Sequence, residues 1–339
     1  MNANPMRTTI DRILKIALVI IVFTLPFWLR SPTYLQIIIM MLLFAYLTTS
    51  WNLVGGFAGV LPLGHSAYVG IGAYTSTVIW ITWGISPWIG MWAGPVLAAI
   101  VGIIIGIPTL KLRGAYFALS TMAFGEGLRV LAENIMEVGP CVINGPRGIC
   151  LPLVPGNNLA LFQFVDKAPY YYIILVMLIV AIFVTWYISR IRPGYYLAAG
   201  GEEPEAAEAL GVNVARYKVM AMALSCFMTA LGGTFLAQLT LYFYPKQILG
   251  LDFSFELAFI ALIGGRGTIA GPIIGALILR PVSEFTRIYL SDVMPGLHLV
   301  IFGAVLILVM LFQPMGLVEP LTRFYNWTLD RLTGTKRGR

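Results

Sequence analysis

The chain has 339 residues, 59% of them hydrophobic and 11% charged, with a formal charge of +7 and a mean hydropathy of +0.85. A soluble domain carries about a quarter charged residues, so a water-soluble globule is excluded. The Lys and Arg excess is read as the basic bias of cytoplasmic loops rather than as a nucleic-acid surface.

The fold class expected is all-α, a polytopic transmembrane bundle of about 8–10 spans with broken or short helices. Continuous apolar runs, rather than alternating ones, argue against a β-barrel. Ten helical segments are predicted, at roughly 13–29, 35–54, 60–81, 87–109, 114–132, 170–189, 217–241, 253–264, 268–290 and 296–313. The first follows Arg7, Arg12 and Lys15 and leads into Pro26-Phe27-Trp28-Leu29-Arg30, not into a small-x-small cleavage site. It reads as an uncleaved first transmembrane helix. The third is interrupted, because Gly55-Gly56 through Pro62 and Gly64 cannot start one regular helix. The eighth is too short to span unaided, and Gly264-Gly265-Arg266-Gly267 ends it.

With the N-terminus inside, this order places fifteen Lys and Arg residues in cytoplasmic segments and four outside. Three more lie within helices, making up the 22. Both termini and the 190–216 loop are thereby expected in the cytoplasm. The organisation predicted is a cytoplasmic N-terminus over 1–12, a single transmembrane domain over 13–317 and a basic cytoplasmic tail over 318–339. An external connection spans 133–169, and its Gly, Pro and Asn turns predict a compact loop that covers something. Cys141 and Cys150 in that loop either pair in an oxidising compartment or stay apart. Cys226, in an apolar helix, is a packing residue. No zinc-type spacing is present, and no metal site is expected. Val54–Gly59 and Ile263–Gly267 resemble each other and fall on the same side, as either an internal repeat or coincident glycine punctuation.

No catalytic set emerges. The two histidines, His65 and His298, are far apart, and no Gly-x-x-x-x-Gly-Lys-Ser/Thr loop exists for ATP hydrolysis by that route. Ionisable groups inside spans default to functional candidates. Glu126 lies three residues before Arg129, either paired with it or lining a pathway. Glu256 follows Asp252 and either caps a helix start or faces the pathway. Arg280 and Glu284, four apart, satisfy each other. Gly64, His65 and Ser66 sit in the broken segment, where half-helix ends offer backbone groups to a zwitterion.

The polar passage Arg190–Lys218 stands apart. Gly200-Gly201 is expected to break the chain, and Glu202–Leu210 reads as a short helix with an acidic first turn and Gly211 as its stop. Too polar for lipid, such a helix either lies along the membrane or docks into another protein's groove.

Glu205–Lys218 resembles the cytoplasmic segment of branched-chain amino acid ABC transporter permeases of the LivM type. So do Gly55–Tyr74, Lys111–Leu119, Ser254–Leu257, Gly264–Pro272 and Phe312–Leu317, in order over roughly 35–317. Two places depart from the family pattern. Leu197-Ala-Ala-Gly-Gly-Glu-Glu stands where basic residues are usual, and Ile143-Asn-Gly-Pro-Arg-Gly-Ile149 where Thr-Gly-Gly usually opens the motif.

The resemblance implies the permease subunit, not itself an enzyme, of a bacterial inner-membrane importer for branched-chain or related amino acids. Its partners would be a second homologous permease, two cytoplasmic ATP-binding subunits and a periplasmic substrate-binding protein. This chain would bind no cofactor, and the partner subunits would use the ATP. Glu202, Glu203, Glu205, Ala206, Ala207, Glu208 and Gly211 would couple to the ATPase. Gly64, His65, Ser66, Glu126 and Glu256 are the pathway candidates. Urea, short amides, nucleosides and sugars are the alternative substrates, and an ATP-independent secondary transporter is the alternative class.

Overall fold

The computed structural model describes residues 5–29, 31–112, 114–138, 141–142, 145–152, 156–290, 297–313 and 316–332. Helix α1 covers Pro5–Trp28 and α2 covers Pro32–Asn52, with Pro32 in its first turn, where a missing N–H costs nothing. α2 is buried on every side from Leu42 to Asn52, which makes it the centre of the bundle. It runs on as a π-helical turn, Leu53–Phe57, and the chain is then irregular until α3 begins at His65. The expected interruption is therefore present, and the Trp51 indole donates to the Pro62 carbonyl at 2.8 Å to hold the irregular segment alongside α2.

α3 (His65–Trp83), α4 (Pro87–Thr109) and α5 (Ala115–Asn134) follow. In the connection expected over 133–169, β1 (Glu137–Val138) pairs antiparallel with β2 (Cys141–Val142), and β3 (Ile149–Cys150) follows. Next come α6 (Ala168–Arg190), α7 (Arg192–Glu202), α8 (Pro204–Ala209) and α9 (Val214–Thr240). β4 (Tyr242–Phe243) pairs antiparallel with β3, so the loop is stitched over the exit of α9. Phe162 from the same loop is fully buried and stacks on Trp88 at 4.4 Å. α10 (Pro245–Leu249), α11 (Leu251–Gly265), α12 (Gly271–Leu290), α13 (Leu297–Phe312) and α14 (Val318–Leu332) complete the order.

Among the described residues, five helical stretches are long and apolar enough to cross a membrane: Pro32–Phe57, Pro87–Thr109, Ala168–Arg190, Val214–Thr240 and Pro245–Gly265. The last corrects the eighth segment, expected over 253–264 and too short. α10 and α11 join at Gly250, whose extended backbone kinks the path while letting both serve one 21-residue stretch. The stretch expected as a tail is helical over Val318–Leu332 and buries Leu329.

Small residues set the packing. A Cβ added at Gly233 of α9 would lie 2.0 Å from the Val69 carbonyl oxygen of α3, and one at Gly72 of α3 would lie 2.0 Å from that of Ala230. Gly102 of α4 similarly faces the Cys226 sulfur. In lipid, helices associate through such close backbone approach, since apolar burial between them gains little. Gly233→Val puts side-chain carbons where a carbonyl already sits. It is expected to cost about 3 kcal/mol or more and to abolish the monodisperse peak of the detergent-extracted protein in size-exclusion chromatography.

Glycine contacts also sort the ends of the bundle. Gly56 abuts the Gly267 amide, Gly59 abuts Gly201, and Gly316 abuts Gly265. Asn52 ties the two Gly-Gly segments together, donating to the Thr268 carbonyl at 2.8 Å and accepting from the Gly267 N–H at 2.9 Å. Residues 52–59, 201 and 265–268 thus share one end, as the segment order predicts. The 27 residues of α9 span about 40 Å at 1.5 Å per residue, which sets β3, β4 and α10 at the other end.

Candidate functional site

α6 ends at Arg190, whose guanidinium lies over the Trp186 ring at 5.7 Å. Ile191 turns the chain with an extended backbone, and α7 starts at once with Pro193 in its first turn. α7 buries Gly194, Leu197 and Gly200, a three-residue spacing that lays one face on the bundle. Gly194 sits against the Ile188 carbonyl and Gly200 against the Val214 side chain. Leu197 joins a buried cluster with Val54, Tyr68, Met222 and Cys226.

Gly200-Gly201 therefore does not break the chain, contrary to expectation. The glycines keep α7 helical while its backbone touches that of Phe57–Gly59. The break falls at Glu203 (φ −134°, ψ 87°), because Pro204 pushes the residue before it out of the helical region. α8 then buries only Ala207 and carries Glu205 in its first turn, where a carboxylate suits the positive end of the peptide dipoles. Gly211, at φ +84°, ends it as predicted. Its N–H donates to the Glu208 carbonyl at 2.9 Å and that of Val212 to Ala207 at 3.1 Å, so two end carbonyls are satisfied across a left-handed residue. Asn213 then caps α9, its side-chain oxygen accepting from the Arg216 N–H at 3.0 Å.

The outcome is an exposed elbow. Glu202, Glu203, Glu205, Ala206 and Glu208 are exposed, and Leu210 at the tip is 86% exposed. Beside it opens a cleft of about 700 Å³, with Gly201–Ala206 on one wall and Lys111 and Lys218 among the others. An exposed apolar residue beside carboxylates and a cleft of mixed charge has the composition of a docking surface, with desolvation available at its centre and polar pairing at its rim. Leu210 and the whole of α7 were missed in the sequence. The signal for Leu210 was its place just before the helix stop, where no buried neighbour can cover it.

The pathway candidates do not come together. His65 is fully buried, with Nε2 2.8 Å from Ser225 Oγ, which in turn donates to the Ser50 carbonyl at 2.6 Å. Ser66 is tied by its N–H to Ser254 Oγ at 2.8 Å and by its hydroxyl to the Leu249 carbonyl at 3.0 Å. A Cβ at Gly64 would meet the Thr121 carbonyl at 2.1 Å. These three residues fasten the start of α3 to α2, α5, α9, α10 and α11. Glu126 accepts from Arg129 Nε at 3.0 Å, and Arg129 also pairs with Glu133, one turn on.

Glu256 does not cap a helix start. It accepts from Arg280 Nη1 at 2.5 Å, joining α11 to α12, while Glu284 accepts from Nη2 at 2.6 Å. Cys150 carries a free, exposed thiol, and the side chain of Cys141 lies outside the described residues. Cys226 is buried.

The family described as branched-chain amino acid transport system / permease component matches residues 33–310. The high-affinity branched-chain amino acid transport system permease protein LivM of Escherichia coli (strain K12) is 27% identical, over 93% of this chain and 76% of its own. The corresponding permease protein LivH of Salmonella typhimurium is 26% identical, over 81% and 91%. A nucleoside ABC transporter permease protein, NupC of Lactococcus lactis subsp. cremoris, is 26% identical, over 72% and 80%. No solved structure matches the chain.

Proposed function

The chain belongs to the branched-chain amino acid permease family, and on that premise we propose that it carries a branched-chain or related amino acid through the bacterial inner membrane of an ATP-driven importer. A second homologous permease would complete the passage, two cytoplasmic ATPase subunits would supply the work, and a periplasmic receptor would deliver the solute. Both termini and the α7–α8 elbow face the cytoplasm in this reading, following the basic residues concentrated at that end.

The observation that carries the reading is the elbow itself. Its six-residue helix is braced by Ala207 beneath and by the Gly211 stop behind, with its acidic face and Leu210 turned outward. Seated in an ATPase groove, it would transmit closure of the nucleotide-bound dimer. α7 would pass that movement to the Phe57–Gly59 segment, and so to the joint between α2 and α3. The chain holds no cofactor in this scheme, and ATP is consumed by the partner subunits.

The test is reconstitution of this chain with its permease, ATPase and receptor partners in proteoliposomes. ATP-dependent uptake of labelled leucine is expected. Ala206→Arg and Gly211→Arg are expected to remove it while membrane insertion persists, and normal uptake by both variants would end the coupling assignment. A nucleoside is the second reading, favoured by the Lactococcus relative, and uptake of labelled uridine in place of leucine would establish it.

A further inference from the structure

α13 exposes Leu311 and Phe312 in its last turn, and Gly316 then turns the backbone at φ +87°. The Leu317 N–H donates to the Ile263 carbonyl at 2.8 Å and Val318 lies beside Gly265, so α14 starts at the elbow end of the bundle. α1 begins at the same end. Its Val22 and Phe23 carbonyls accept from Tyr171 and Tyr172 at the start of α6, and α6 runs from there to Arg190 at the elbow. The first turns of α1, with Arg7, Arg12 and Lys15, are thereby set near the level of α14, and the two helices touch.

α14 is 15 residues long and carries Glu319, Arg323, Asp330 and Arg331, too short and too polar for a span. Glu319, Arg323, Asn326 and Asp330, spaced by four, three and four, share one face. Leu321, Phe324, Tyr325 and Thr328 share the opposite one. Leu329, at one edge of the apolar face, is buried. The rest of that face is bare: Phe324 is 62% exposed and Trp327 54%, their rings stacked at 5.9 Å, with Leu321 exposed beside them.

A helix with a buried edge, a bare apolar face and a charged face suits a place where protein, hydrocarbon and water meet. The lipid-facing end of α13 and the start of α14 at the end of the bundle put it at that depth. The charge selects the lipid. From Arg331 to Arg339 the sequence holds Arg331, Lys336, Arg337 and Arg339 and no acidic residue. Such a cluster on an amphipathic helix is drawn to anionic headgroups, and aromatic rings favour the headgroup level. We propose that α14 lies in the membrane surface, with Leu321, Phe324 and Trp327 in the outer hydrocarbon and the basic residues from Arg331 onward against anionic phospholipid. The assignment holds whichever solute the chain carries.

The experiment uses the full chain with Cys141→Ser and Cys150→Ser, reconstituted in nanodiscs of phosphatidylcholine and phosphatidylglycerol. A bimane is attached at Phe324→Cys or, on the charged face, at Asn326→Cys. Trp327→Cys repeats the apolar-face reading at a second position, and size-exclusion behaviour controls for folding. Bromine on the upper acyl chain of one lipid or the other is the quencher from the membrane, and iodide the quencher from water. The label at 324 is expected to be quenched by brominated lipid and shielded from iodide, and the label at 326 the reverse. Per lipid molecule, phosphatidylglycerol is expected to quench about fivefold better than phosphatidylcholine, the value of a single basic residue near an anionic surface. Arg331→Gln, Lys336→Gln, Arg337→Gln and Arg339→Gln together are expected to bring the two lipids level.

Iodide quenching at 324 and 327 would put the apolar face in water, and shielding from both quenchers would put it under protein. Either result overturns the proposal, as does equal quenching by the two lipids in the unaltered tail. The label at 324 is expected to keep its contact with lipid when the chain is assembled with ATPase subunits. Lipid quenching lost on assembly would assign the face to the ATPase and overturn the proposal as well.

Discussion

Replacing Leu210 with glutamate is expected to lower ATP-driven uptake on the order of thirtyfold while leaving the folded chain intact. The side chain is 86% exposed at the tip of α8, so the substitution removes no contact within this subunit. Exposed substitutions of that kind stay within about 0.5 kcal/mol of neutral for folding. Docked, the same leucine would be the large apolar group on α8, where most of the other exposed side chains from Glu202 to Glu208 are carboxylates. A central apolar residue that is desolvated on binding costs about 2 kcal/mol or more when truncated, or about thirtyfold in affinity. A buried fourth carboxylate beside Glu203, Glu205 and Glu208 adds repulsion to that loss. The measurements are leucine uptake and co-purification of the ATPase subunits, with size-exclusion behaviour of the extracted chain as the folding control. Undiminished uptake with the ATPase still attached would take the tip of α8 out of the coupling interface.

Much of this arrangement was legible in the sequence because it depends on local rules. Apolar runs near the length of a span located α2, α4, α6 and α9, and Gly211 located the end of α8, since few other residues hold φ +84° without strain. The two Gly-Gly segments were assigned to one side, and the contact of Gly56 with Gly267 agrees. What escaped depends on partners far away in the chain. His65 reads as a pathway candidate because its segment is broken, and its contact with Ser225, 160 positions on, does not show in the sequence. Glu256 reads either as a helix cap or as a pathway residue, and its partner Arg280, 24 residues further along on another helix, does not show in the sequence. Gly200-Gly201 read as a chain break because glycine weakens helices. Here the absent side chains are what allow α7 to rest on Phe57–Gly59, and the break passed to the residue before Pro204.

The largest effect expected on stability is at Arg280, which joins α11 to α12. Arg280→Met removes the positive charge from between Glu256 and Glu284, of which Glu284 is itself 6% exposed. Taking a cationic partner from a buried carboxylate costs up to about 3–5 kcal/mol, and the contact of the guanidinium with Phe44 is lost as well. The extracted variant is expected to lose its folded peak at a markedly lower temperature than the unaltered chain in size-exclusion chromatography after heating. The triple variant Arg280→Met, Glu256→Gln, Glu284→Gln removes the imbalance along with the charge, and a neutral replacement of a buried ion pair is often as stable as the pair. It should therefore regain most of the lost thermal stability. A triple variant as unstable as Arg280→Met alone would mean that the guanidinium acts through its packing on Phe44 and not through its charge. A triple variant as stable as the unaltered chain would show that α11 and α12 need only a balanced contact at this depth.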